Sequence, residues 1–262
     1  VFSFSVVTSI YLQLNTVLLG FLKNALAVGY FAAATKVMQM LLTMSACLGS
    51  VMMPRASHLI AENKEAEFNR LIQKSYDFTL AIALPMTIGL IFCAPSLITA
   101  LCGVKFEHSI LPSQIIAPII LMVAISNVFG IQVLFPKGKI NIVTLCCGIG
   151  AVADLILNLC LIPFFSYIGT SIAYLGAEVA TTVSMYFIGR KYIPIIYFKK
   201  SHLTYALGCV VMAFALYGLS LLQLPTLTIL LLQGCCGVLA YFIILCICKD
   251  EMLVQILSKI KR

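Results

Sequence analysis

The stretch 140-INIVTLCCGIGAVADLILNLCLI-162, then PFFSY at 163–167, then 168-IGTSIAYLGAEVATTVSMYFIG-189, decides the fold of this chain. Each of the two runs exceeds the ~20 residues that carry a helix across ~30 Å of hydrocarbon. The five residues between them, opening with Pro163, leave room only for a tight reversal. The runs are continuously apolar rather than alternating, so they read as helices and not as strands of a lipid-facing barrel. Six more runs of the same kind flank this pair, at 1–22, 28–53, 76–101, 112–135, 203–222 and 226–248. The expectation is an all-α polytopic transmembrane bundle of eight spans. Composition agrees: 62% of the 262 residues are hydrophobic, 10% are charged, and the mean hydropathy is +1.09. A soluble domain of this length cannot bury so much apolar surface, so lipid is the solvent for much of it.

The basic residues orient the spans. Arg55, Lys64, Arg70 and Lys74 follow the second span, and Lys137 and Lys139 follow the fourth. Arg190, Lys191, Lys199 and Lys200 follow the sixth, and Lys249, Lys259, Lys261 and Arg262 follow the eighth. These fourteen lie on one side, against Lys23 and Lys105 on the other; Lys36 lies within the second span. Basic residues mark the cytoplasmic side, so both ends of the chain are expected there. The net charge of +8 then needs no nucleic acid as partner. Residue 1 is Val, with no charged leader or cleavage site around it, so 1–22 reads as a span and the chain as the C-terminal part of a longer protein.

Other signals are structural. The eleven cysteines fall almost entirely inside apolar runs without a CxxC pair, and His58, His108 and His202 lie apart from them, so no metal site or cofactor is expected. The polar stretch 54–75 reads as a solvated cytoplasmic helix whose Leu59, Phe68, Leu71 and Ile72 lie on the membrane. The tail 249–262 places Leu253, Ile256, Leu257 and Ile260 on one helical face beside Lys259 and Lys261, an interfacial helix suited to anionic membrane lipid. Gly169, Ala173, Ala177 and Thr181 recur four apart, a surface that lets another helix approach closely. Pro85, Pro95 and Pro118 are expected to kink their helices.

The candidate site comes from depth. A charge near the bilayer centre costs about 2.5–3.5 kcal/mol, so such residues face a bundle interior or a wet cavity. Asp77, at the end of its span, reaches water and is set aside. Lys36 and Asp154 lie roughly 12 Å from the external side and Glu178 roughly 15 Å, by the rise per helical residue. Asn15 lies at similar depth, and Asn158 sits one turn from Asp154. Five polar groups thus share one slab, either as a structural ion pair of Lys36 with Asp154 or Glu178, or as the lining of a substrate or ion path.

Several ordered motifs carry a resemblance. LNTVLLG (14–20) and VGYFAAATK (28–36) come first, then LG (48–49) and PRAS (54–57). LP (84–85), GL (89–90) and GVKF (103–106) follow, then FPKGK (135–139). NL (158–159), IP (162–163), YIG (167–169) and Glu178 complete the set. In this order the chain resembles the C-terminal half of the polysaccharide-biosynthesis flippases, the O-antigen and teichoic-type exporters of lipid-linked oligosaccharides. The resemblance implies a second lobe of a two-lobed alternating-access transporter over 1–189, two additional spans over 190–248 and the basic tail over 249–262. It implies a bacterial inner-membrane protein, not an enzyme, whose substrate is an undecaprenyl-pyrophosphate-linked oligosaccharide. Polysaccharide polymerase and chain-length proteins are implied partners.

Within that frame Lys36 and Arg55 suit the pyrophosphate. Asn15, Ser126, Asn127 and Gln132 suit the sugars, with Tyr11, Tyr30 and Tyr174 as stacking rings in a chain without Trp. Asp154, Glu178 and Asn158 suit a coupling H+ or Na+. Many relatives carry Asp where this chain has Asn15, which implies that any ion role of that position has moved. Competing readings are an ion-coupled exporter of cationic drugs, an intramembrane enzyme of polysaccharide assembly, for which the outer loops offer only Glu107 and His108, and a scaffold.

The orientation is directly testable. In a cysteine-free background, Lys105→Cys should react with an impermeant maleimide on intact cells, and Lys199→Cys only after permeabilisation. External labelling at position 199 would overturn the topology.

Overall fold

A computed structural model describes residues 13–197, 199–222 and 225–248, with the backbone alone at 45–48, 50 and 200. No strand occurs among the described residues. The interfacial tail at 249–262, Tyr11 and most of the first span lie outside them.

Helix α1 spans Gln13–Leu22 and ends at a short turn. Asn24 caps the next helix, its side chain accepting from the Ala27 backbone N–H at 2.9 Å. Helix α2 then runs over Ala25–Ala61, 37 residues, through Pro54. The turn at 62–64 places Asn63 at φ 56°, a left-handed conformation that Asn tolerates well. Helix α3, Glu65–Cys102, follows and stays helical through Pro85 and Pro95.

This corrects the reading of 54–75 as a separate helix on the membrane. The stretch is the projecting ends of α2 and α3. Leu59, Phe68 and Ile72 are buried in the protein's own core, against Phe129, Val133 and Leu134 among others, and Leu71 packs beside them. One apolar cluster offered a partner closer than lipid.

The 3-10 turn Val104–Ser109 leads into α4, Ile110–Ile116, and α5, Ile119–Asn127. The combined segments Val104–Ile116 and Ile119–Leu134 meet at 43°, at the expected Pro118 break. The helix widens to a π turn over Val128–Leu134, closed by Phe135 N–H donating to the Gly130 carbonyl at 2.9 Å. The basic turn after it is held by Lys137, whose Nζ donates to the Tyr192 carbonyl at 3.0 Å and sits 5.1 Å from the Phe68 ring centre.

Helix α6 covers Ile140–Gly189, 50 residues, and would be about 75 Å long if straight. Its backbone breaks at Ser166, φ 51° and ψ −130°. The halves fold back on each other: Gly169 lies against the Leu161 backbone, Gly176 against Leu157, and Gly150 against Ala177 and Thr181. The small residues at 169, 177 and 181 therefore do meet a helix, the first half of their own hairpin. On the outer turn, Lys23 Nζ donates to the Pro163 carbonyl at 2.9 Å.

Helices α7, Lys200–Ser220, and α8, Thr226–Ile247, form a second hairpin. It docks on α3 through Met212 beside Gly89 and through the Tyr241 hydroxyl, which donates to the Ala81 carbonyl at 2.8 Å. Two apolar clusters result. One joins α2, α3, the π turn, α6, α7 and α8; the other packs α1 and the outer part of α2 against α3, α4, α5 and α6. Among the described residues, five helices are long and apolar enough to cross a membrane, or six counting the bent pair as one crossing. Each half of α6 has the length of a span by itself. The chain is thus a multi-pass helical membrane protein.

The α6 reversal supplies a stability prediction. A Cβ at Gly169 would lie 2.6 Å from the Leu161 carbonyl oxygen, whereas one at Gly148 would meet nothing within 4 Å. Gly169→Ala should destabilise by about 1–3 kcal/mol, the usual range for overpacking. Gly148→Ala should leave the thermal midpoint of the purified protein near wild type.

Candidate functional site

The hairpin of α6 and the short α1 together build one buried polar cluster. Asp154 and Asn158 are one turn apart on the first half of α6, and both are fully buried. Asn15 on α1 is 3% exposed. The Asn158 Nδ2 group donates to the Asn15 Oδ1 at 2.9 Å, to the Asp154 backbone carbonyl at 2.9 Å and to the Asp154 Oδ1 at 3.0 Å. Two amide hydrogens thus serve three oxygens.

Two further oxygens, Asp154 Oδ2 and Asn158 Oδ1, are buried without a hydrogen-bond partner among the described residues. Glu178, on the second half of α6, is also buried and lies within electrostatic range of Asp154. Tyr174 sits one turn before it, packed against the Phe31 ring. The Asn15 side chain also bonds Asp154, yet Asp154 Oδ2 and Asn158 Oδ1 stay without a donor among the described residues. An arrangement of that kind is satisfied by a proton or by a hard cation.

Lys36 is not part of it. The sequence placed Lys36 in one slab with these groups and allowed an ion pair with Asp154 or Glu178. The structure leaves Lys36 exposed on α2, outside the ion pairs formed among the described residues. Lys36 differs from them in azimuth, because α2 buries the face carrying Phe31, Ala34 and Met38 and turns Lys36 away. Gln39 and Thr43 lie exposed on the same side, three and seven residues on. That polar stripe was readable from its i, i+3, i+7 spacing and was missed.

The other expected substrate residues separate. Arg55 is exposed near the far end of α2, about 28 Å from Lys36 along the helix. Asn127 is half-buried at the end of α5. Gln132 is 1% exposed, and its Oε1 accepts from the Ser75 hydroxyl at 2.6 Å. In this conformation Gln132 fastens the π turn to α3 and lines no open surface. Tyr30 clusters with Phe106, His108 and Tyr167 at the outer end.

Asp77, set aside at the span's end, is instead a hub. Its carboxylate takes Lys199 Nζ at 2.8 Å, the His202 ring Nε2 at 3.0 Å and Gln73 Nε2 at 2.8 Å. Gln73 and Asp77 show i, i+4 spacing, but their partners lie more than a hundred residues away and left no local signal.

The Asn158 amide joins α1 to the α6 acid, alongside a direct bond between the Asn15 side chain and Asp154. Asn158→Leu would leave Asp154 Oδ1 and Asn15 Oδ1 without it. We expect a loss of about 1–3 kcal/mol, the cost of stranding a buried polar group, read as a lower thermal midpoint of the purified protein.

Known proteins share this arrangement of helices. Residues 1–111 match the family described as "Polysaccharide biosynthesis protein". A curated relative from Escherichia coli (strain K12), "Putative O-antigen transporter", is 26% identical over 180 residues, which cover 68% of this chain and 42% of the relative. A protein of the same description from Shigella dysenteriae is 27% identical over 181 residues, covering 68% of this chain and 44% of the relative. The chain therefore spans less than half the length of these curated relatives.

Among solved structures, the lipid II flippase MurJ in an inward closed conformation superposes with a TM-score of 0.82, covering 95% of this chain and 53% of that one at 17% identity. An outward-facing multidrug resistance MATE transporter of the MOP superfamily gives 0.65, covering 83% of this chain and 52% of that one at 18% identity. The relatives and the fold neighbours are transporters, not enzymes. The chain is thus similar in sequence to the polysaccharide biosynthesis family over residues 1–111 and to the two O-antigen transporters, and it shares the fold of the solved transporters.

Proposed function

We propose that this chain is one lobe of an ion-coupled, alternating-access flippase that moves an undecaprenyl-pyrophosphate-linked oligosaccharide across the bacterial inner membrane. Its basic turns and the ends of the chain lie on the cytoplasmic side. The remaining length of the relatives would supply the facing lobe. The likeness to the lipid II flippase over 95% of the chain carries this reading, because it includes α7 and α8. The multidrug transporter fold accounts for less of the chain.

The exposed stripe of Lys36, Gln39 and Thr43 suits a surface turned toward a second lobe. In a cavity closed to bulk water, the Lys36 ammonium holds an anionic headgroup far more strongly than it would in solvent. The Asn15–Asp154–Asn158 cluster, with Glu178 beside it, is the proposed coupling site. Its two unpartnered oxygens sit where a cation or a proton would offset the buried carboxylate charge. Occupancy would draw α1 onto the α6 hairpin, and release would free it. Binding at the cluster thereby biases the packing of an element at the edge of the lobe. Polymerase and chain-length partners belong to this reading as well.

Reconstituted full-length protein, assayed for translocation of lipid-linked oligosaccharide with and without an imposed Na+ or H+ gradient, tests it. Asp154→Asn or Glu178→Gln should keep basal exchange and lose the gradient response. Lys36→Ala should slow translocation at least ~10-fold, given about 1.5–3 kcal/mol for a hydrogen bond to a charged group, and Lys36→Arg should restore it. If both acid variants follow the gradient as wild type does, the coupling site fails. If wild type moves no substrate, the flippase reading fails.

A further inference from the structure

At the end of the bundle that carries the basic turns, aromatic rings frame an open recess of about 660 Å³. Tyr76 comes from α3, Phe129 from the π turn, Tyr186 from the last turn of α6 and Tyr197 from the linker to α7. Ile125, Ile195 and Ile196 complete the lining. Tyr76 and Phe129 stack at 14° with centroids 6.3 Å apart. Tyr197 stands edge-on to both, and Tyr186 meets Tyr197 at 5.2 Å and 87°. These groups are separate from the buried ion cluster and from Lys36.

The recess is held in shape by polar bonds. The Ile196 N–H donates to Gln73 Oε1 at 2.7 Å, and Gln73 Nε2 donates back to the Ile196 carbonyl at 3.3 Å. The His202 ring Nδ1 lies 2.8 Å from the Tyr197 carbonyl. Gln73, His202 and Lys199 all converge on Asp77, so the linker bearing Tyr197 is fastened to α3 on both sides of the ring. Interfacial anchors in an aromatic belt are expected to point outward into the headgroup layer. Here three phenols gather around one concavity instead.

The lining selects a ligand by its chemistry. It contains aromatic faces and phenols and no ionised side chain. Burial, with Tyr186 and Tyr76 adding, pushes the Tyr197 phenol up to about 12, so it remains a neutral hydrogen-bond donor. The rim is basic. Lys199 keeps a third of its side chain exposed, and it shares the lone Asp77 carboxylate with His202. Lys74, Arg190 and Lys191 are exposed close by in sequence. A cation seated over the rings would be repelled by these neighbouring basic groups, which argues against an ammonium cage. A ring with an apolar C–H face, hydroxyl edges and an attached phosphate meets every feature.

We infer that this recess is a recognition site for a glycosyl phosphate, with a pyranose ring against Tyr186 and Tyr197 and the phosphate at Lys199. The inference rests on the reading of the chain as part of a lipid-linked oligosaccharide flippase, and it places a sugar contact on the side where the basic turns lie.

Saturation-transfer NMR on the full-length protein in nanodiscs tests it, with glucose, galactose and N-acetylglucosamine 1-phosphates as probes and inorganic phosphate plus methyl glucoside as controls. At least one hexose phosphate should show transfer to its ring protons, stronger than methyl glucoside. Tyr186→Ala and Tyr197→Ala should each lower it fivefold or more, Tyr186→Phe should retain most of it, and Gly148→Ala should leave it unchanged. Thermal midpoints of the same samples show that the variants are folded, and Tyr186→Phe serves as the ring-preserving control. Absence of transfer from every probe, or transfer unchanged in Tyr186→Ala and Tyr197→Ala, overturns the site. Intact translocation with such unchanged transfer refutes the site alone. Ring-dependent transfer in a wild-type protein that moves no lipid-linked substrate refutes the flippase reading alone.

Discussion

The two halves of α6 approach almost backbone to backbone, and the placement of the buried acids follows from that. Gly150, Gly169 and Gly176 each face the opposite half at distances that a methyl group would violate. Close approach is the means by which helices associate in lipid, where apolar side chains gain little by leaving an apolar solvent. With the halves so near, Asp154 on one and Glu178 on the other face a common interior rather than opposite sides of the bundle. The Asn158 amide then has only to reach α1 to tie a third helix to the pair.

Polar bonds between distant segments set the rest of the architecture. The Asp77 hub and the Tyr241 hydroxyl fix the α7–α8 hairpin on α3, while Ser75 and Gln132 fix the π turn to the same helix. Helix α3 thus carries a row of acceptors and donors along one side, and the elements packed on it are distinguished by which they use. A hydrogen bond left unmade in hydrocarbon is costly, so these pairs specify register as well as strength.

How much of this was legible depended on the kind of information involved. The helical class, the reversal at 163–167 and the break at Pro118 could be read because hydropathy and proline act locally. Asn15, Asp154, Asn158 and Glu178 could be grouped because helical rise converts position into depth. Lys36 shows the limit of that conversion: rise gives height, and only packing gives direction around the axis. The ends of α2 and α3 were misplaced for a related reason. Amphipathic periodicity marks a buried face without saying whether lipid or protein covers it. Gln132 and Asp77 owe their roles to partners 57 and more than a hundred residues away, and no local window contains both members of such a pair.

The basic residues on the turns also serve a second purpose. Lys64 is engaged by Glu62 at 2.9 Å, Lys137 by a carbonyl and a ring, and Lys199 by Asp77. A free positive charge on a loop disfavours its transfer across a membrane. Once the helices assemble, the same groups become fasteners with their charge partly neutralised. The surface potential of the folded protein toward an anionic leaflet is therefore weaker than a tally of its lysines and arginines implies, and topological instruction gives way to tertiary structure in the same atoms.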